Sequence, residues 1–232
     1  MRVSLLVFFL LFIGRVWGLD AREILSRMQQ VYAGDRLEYS CTYALYRGHA
    51  SDSVYESYGG YVYRSGGCLY QKIGLTEFIY GKDFSLKVSH DEQAVGLADV
   101  QKTPVLGIDT EEALKECSDI LVEDGGTYYE LRLIIKNTSR LPFSLISMRI
   151  DKRTYQLGQL DLYYTLVEDF SLSNRQTDLQ APHMRITFSD LSTAPGARES
   201  LFSIATYLQK DDQTFIPAGI CKGYELIDNR HN

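Results

Sequence analysis

From Leu37 onward the apolar residues of this chain recur every second position, and this alternation limits the fold more than any other feature. Leu37, Tyr39, Cys41, Tyr43 and Leu45 share one face of a strand, while Glu38, Ser40 and Thr42 share the other. Phe84, Leu86 and Val88 alternate with Ser85, Lys87 and Ser89; Tyr129, Leu131, Leu133 and Ile135 alternate with Glu130, Arg132 and Lys136. Ile146, Met148 and Ile150, then Leu160, Leu162 and Tyr164, continue the pattern. Polar or glycine turns separate the runs: Ser65-Gly66-Gly67, Gly81-Lys82-Asp83, His90-Asp91-Glu92, Asp124-Gly125-Gly126 and Asp151-Lys152-Arg153-Thr154. Further strands are expected at Tyr55 to Arg64, Cys68 to Ile73, Thr76 to Tyr80, Gln93 to Val100, Met184 to Leu191, Phe202 to Leu208 and Gly223 to Ile227. The sum is a mainly β protein, an antiparallel meander curled into a barrel or half-barrel. Strands that alternate in this way bury one side only, so that side must be covered by helices, by closure of the sheet, or by a ligand.

Two segments break the period. Asp20 is placed to cap a helix, with Glu23 at the reciprocal capping-box position, and Ile24, Leu25, Met28, Val31 and Tyr32 form its apolar stripe. Gly34 is its stop signal. A shorter helix is expected over 109–117, capped by Asp109 or Thr110, with Ala113, Leu114 and Cys117 inward.

Ahead of these lies Arg2, the apolar run Val3 to Ile13, and small residues at Val16 and Gly18. The run is too short to span a bilayer, which takes about 20 residues, and matches an export signal cut after Gly18. Residues 1–18 are therefore expected as a signal peptide, and residues 19–232 as one domain in the periplasm without stable membrane insertion. Loss of Arg2 and Arg15 leaves 22 basic against 30 acidic residues, a net charge of −8. That balance argues against nucleic acid, which demands clustered cations. For the cysteines, burial as small apolar residues and a Cys117–Cys221 pairing both stay open, with burial preferred for Cys41.

No catalytic motif stands out. His49, His90, His183 and His231 have no His, Cys or acidic partner at ligand spacing, and His90-Asp91-Glu92 fits a polar hairpin tip. The glycine pairs open no helix, which excludes phosphate cradles. No cofactor, no metal and no enzymatic activity are expected. Seventeen tyrosines against one tryptophan are unusual, and Tyr39, Tyr43, Tyr61 and Tyr63 are candidates for the wall of a cavity.

Three stretches resemble the LolA/LolB-like family of periplasmic lipoprotein carriers: Gly60-Tyr61-Val62-Tyr63 through Lys72, Thr76 through Val88, and Ile150 through Tyr164. The similarity spans residues 20 to 192. It implies an incomplete antiparallel β-barrel with helices packed as a lid on the concave apolar face, and a monomeric carrier shielding the acyl chains of a lipoprotein or lipid. The hydrophobic groove would be formed by Tyr43, Leu45, Phe84, Leu86, Val88, Leu131, Leu133, Met148, Leu160 and Leu162, faced by Ile24 and Met28 of the first helix. The family places an Arg-Pro pair on an early strand to tie the lid. This chain has none, and Arg64 precedes a turn instead, so the resemblance does not carry over the lid contact or the handover to an outer-membrane acceptor. Two other functions compete with carriage. One is an envelope module of the same fold with a filled core and a protein partner; the other is a hydrolase of envelope lipids.

Overall fold

A computed structural model describes residues 20–101, 106, 108–171, 177–212 and 214–230. The expected signal peptide, residues 1–18, lies outside the described residues, as does His231. Helix α1 (Ala21–Tyr32) opens the description, its first turn capped by the Asp20 carboxylate, which accepts from the Arg22 N–H. Strands β1 (Leu37–Tyr46), β2 (Val54–Ser65), β3 (Cys68–Ile73), β4 (Thr76–Tyr80), β5 (Ser85–Ser89) and β6 (Ala94–Ala98) follow as a meander. After α2 (Thr110–Glu116) come β7 (Cys117–Asp124), β8 (Tyr128–Ile135), β9 (Phe143–Asp151) and β10 (Leu157–Tyr164). The short pair β11 (Glu168–Asp169) and β12 (Leu179–Gln180) leads to β13 (His183–Ser192). The C-terminal segment carries 3-10 turns, the hairpin β14 (Leu208–Asp211) and β15 (Thr214–Pro217), and a last strand β16 (Glu225–Asp228).

Twelve strands form one curved, open sheet in the order β16-β6-β5-β4-β3-β2-β1-β13-β10-β9-β8-β7. The mainly β, unclosed architecture with helices over one face is the one the alternation and the resemblance imply. Two expectations for the C-terminal segment need correction. Residues 202–208, expected as a strand, form 3-10 turns up to Leu208, because Phe202, Ile204 and Tyr207 reach down to one underlying surface. The last strand pairs parallel with β6, whereas every other neighbouring pair is antiparallel.

Residues directly opposite in a ladder point to the same face, so the register shows which side chains can meet. One row runs Tyr43–Ile186–Leu160–Met148–Leu131–Val122, and the next runs Leu45–Met184–Leu162–Ile146–Leu133–Ile120. Helix α1 lies over this half of the sheet with Ile24, Leu25, Met28 and Tyr32 buried, and Ala113 of α2 joins them. Each such aliphatic side chain contributes about 1.5–3 kcal/mol on burial. On the same face, continuing toward β16, the row is Tyr39–Val62–Gln71–Phe78–Lys87–Gly96–Ile227. The opposite face carries Glu38–Tyr63–Tyr70–Ile79–Leu86–Leu97 and Ser40–Tyr61–Lys72–Glu77–Val88–Val95–Leu226. A second core forms there, under Tyr207, Leu208 and Cys221 of the C-terminal segment. The sheet thus has two cores on opposite faces of its two halves.

Candidate functional site

The twelve proposed groove residues divide along this boundary. Ile24, Met28, Leu131, Leu133, Met148, Leu160 and Leu162 lie together in the first core, all at 6% exposure or less, with Tyr43 half-buried against them. Leu45 is half-buried in the Met184 row, near the end of β1. Leu86 and Val88 sit in the second core, with Phe84 packed against it, and so face away from the rest. The tyrosine set divides likewise. Tyr39 and Tyr43 face α1, whereas Tyr61 and Tyr63 face the C-terminal segment, because Val62 is the residue opposite Tyr39. Gly60 makes room for this packing: a side chain there would occupy the place of the Cys41 sulfur and the Tyr43 ring.

The half of the concave face beyond α1 is different. β6 reads Ala-Val-Gly-Leu-Ala; its large residues point into the second core, and Ala94, Gly96 and Ala98 point to the concave side beside Ser85 and Ser89 of β5. These small side chains floor a cleft of about 340 Å³, walled by Phe78, Tyr80 and Ile227 and rimmed by Lys87, Glu92, Gln101 and Asn229. Ser85 Oγ accepts from the Gln101 N–H at 3.0 Å, which fixes one wall. Ile227 is 47% exposed. Most of the cleft residues were missed by the sequence reading, which searched for large apolar rows; the alternation of small and large residues in β6 was the available signal.

The first helix is tied to the sheet without an Arg-Pro pair. Arg64 of β2 donates through Nη2 to the main-chain carbonyls of Tyr32 and Gly34 at the end of α1. Burial pulls its guanidinium below the usual arginine value. The Tyr32 hydroxyl accepts from the Leu157 N–H at 3.1 Å, and burial pushes this phenol up to about 12. Gln29 of α1 donates to the Thr110 hydroxyl of α2, joining the two helices.

Beneath the C-terminal segment lies a polar cluster. The Glu77 carboxylate, 6% exposed, sits 2.9 Å from His90 Nε2 and 3.7 Å from Lys72 Nζ, and His90 Nδ1 sits 2.9 Å from the Tyr224 hydroxyl. One ring nitrogen of His90 pairs with Glu77 and the other with Tyr224, so the imidazole bridges the sheet to the segment that covers it. Its burial and hydrogen bonding fit a structural latch. His183 is also structural: Tyr46 and Tyr163 stack on its two sides at 4.2 and 5.1 Å, and Nδ1 lies 3.0 Å from the Gly48 carbonyl. Cys117 and Cys221 are both free and belong to different cores, which closes the question of their pairing; Cys41 and Cys68 are buried and free. Among the described residues no group of three or more His, Cys, Asp or Glu could hold a metal ion, and no helix is long and apolar enough to cross a membrane.

No family model matches the sequence, and no curated protein matches it. Solved structures with a similar backbone do exist. A domain from Vibrio parahaemolyticus, described as a putative outer membrane lipoprotein-sorting protein, is 14% identical over 80% of this chain and 98% of that one, with a TM-score of 0.36. A LolA superfamily protein from Nitrosomonas europaea is 9% identical over 79% and 97%, with a TM-score of 0.31. The MucA/MucB complex of Pseudomonas aeruginosa gives 16% identity over 78% of this chain and 60% of the matched one, with a TM-score of 0.40.

Proposed function

We propose that the chain is an exported, non-enzymatic carrier that holds one apolar chain of a lipid or acylated protein in the cleft beyond α1. Residues 1–18 would be its cleaved signal, and the periplasm its working compartment. The observation that carries this reading is the cleft itself, with a floor of small side chains and walls of two aromatic rings and an isoleucine. Its volume of about 340 Å³ falls at the lower end of ligand sites. An acyl chain left in water costs about 0.8 kcal/mol per CH₂, so even a small dry trough gives useful shelter. The rows under α1 are filled by the chain's own side chains, and cargo would reach Leu131, Leu133, Met148 or Leu160 only if α1 moved away. We therefore place the first contact in the cleft and treat the α1-covered rows as the part of the groove that is closed in the resting protein.

The test is titration of the purified protein with a dansylated eleven-carbon fatty acid, for the parent and for Gly96→Leu and Ala98→Phe, which fill the floor. Saturable uptake by the parent, lost in both variants at unchanged thermal stability, is the expected result. Uptake that ignores both substitutions, or no uptake, removes the proposal. A second reading, an envelope protein-binding module, is favoured by the filled core under α1. It predicts no uptake and no effect of either substitution on the fold.

A further inference from the structure

β2 outruns its neighbour. It pairs with β1 along nearly its whole length, from Val54 to Arg64, but with β3 only from Gly60. β3 ends there because Gly74 turns with a positive φ of 56° and its N–H bonds to the Gly59 carbonyl at 2.9 Å. Main-chain groups alternate sides along a strand, so the N–H and C=O of Ser57 point the same way as the Gly59 carbonyl. No described strand stands opposite them. Residues 54–59 are exposed on both faces, with Val54 at 48% and Tyr58 at 46%.

The two end strands of the sheet are protected. β7, at the far end of the sheet, has a register shift between Cys117 and Asp119, carries Asp119, Glu123 and Asp124, and has its Ile120 N–H occupied by the Asp119 carboxylate at 2.8 Å. Charges and bulges of this kind are how sheet edges avoid foreign strands. β16 is only four residues long. On β2 a register shift places Tyr55 in a bulge, but from Glu56 to Gly59 the pairing with β1 is regular, and no described strand pairs with the Ser57 N–H on the β3 side.

We infer that the overhanging edge of β2, centred on Ser57, is a docking site for an extended peptide strand of another protein, which would pair beyond the end of β3, where no described strand lies. The unpaired main-chain groups select a strand, since only an extended backbone repeats donors and acceptors at their spacing. The side chains select its charge: Asp52 and Glu56 are exposed acids, and residues 51–60 contain no Lys or Arg. The incoming strand is therefore basic. A second copy of this chain would bring the same two acids and no Lys or Arg to the pairing, with Ser57 against Ser57 and Glu56 beside Tyr58, and self-association is the competing outcome of the test.

The site is independent of the acyl cleft and is tested separately. The probe is a capped octapeptide of alternating Val and Lys, titrated into the purified protein and followed by amide NMR shifts. Two further peptides and one protein variant complete the set: the same sequence with alternate amides N-methylated, one of alternating Val and Glu, and the parent peptide against Ser57→Pro. Shifts at 55–59 with the Val-Lys peptide, weakened about tenfold or more by N-methylation, by the Val-Glu exchange and by Ser57→Pro, are expected. N-methylation alters only the probe, so that arm stands even if Ser57→Pro disturbs the fold. Absence of binding, binding indifferent to N-methylation, or self-association that Ser57→Pro abolishes would each overturn the inference.

Discussion

Arg64 Nη2 donates to the main-chain carbonyl of Tyr32, so a residue of the second strand closes the last turn of the helix that covers the concave face. The last carbonyls of a helix lack intrahelical partners, and here a charged donor supplies one to Tyr32 and another to Gly34. Replacing Arg64 with Ala removes both bonds and is expected to cost about 2 kcal/mol. Urea unfolding measures the loss, and hydrogen exchange should show the α1 amides opening faster than those of β8 to β10. Uniform loosening of the molecule would contradict a local tie.

Met28 is fully buried between α1 and the sheet. Met28→Ala leaves a cavity there and should destabilise by about 2–5 kcal/mol, as read from chemical denaturation. A cost below about 1 kcal/mol would mean that the space under the helix is looser than the packing indicates.

Leu86 and Leu160 occupy different cores on opposite faces. Leu86→Ala and Leu160→Ala should each cost about 2–5 kcal/mol, and the double variant should cost their sum to within about 0.5 kcal/mol. A large coupling energy would place the two residues in one shared hollow, as the sequence alone suggested.

Burial and the neighbouring Glu77 carboxylate push the Cys221 thiol up to about 11, from a usual value of 9.0. The unfolded chain therefore releases this proton at a lower pH than the folded one. The stability it contributes is complete below pH 9 and is lost as pH rises toward 11. The urea midpoint should fall over that interval, and fall less in Cys221→Ala. An equal fall in both proteins would assign the alkaline loss to other groups, such as the buried Tyr32 phenol.

The strands and the first helix were legible because periodicity is local: Leu131, Leu133, Met148 and Leu160 sit as their alternation required. The alternation at Leu86 and Val88 was equally clear, yet it could not say which face they take. That choice follows from the C-terminal segment, whose Tyr207, Leu208 and Cys221 come from more than a hundred residues further on and cover the other side. The role of Arg64 was not legible for a related reason. Its place before a turn said nothing of the helix end brought beside it by the fold. The cleft was overlooked because it is made of Ala94, Gly96 and Ala98, residues that leave space without filling it.

Native mass spectrometry of the freshly isolated protein, run beside Ala98→Phe, tests the carrier account most directly. A bound mass matching one lipid or acyl chain, present on the parent and missing from the variant, is the predicted result. Bare protein in both preparations, still bare after incubation with fatty acid, would contradict it.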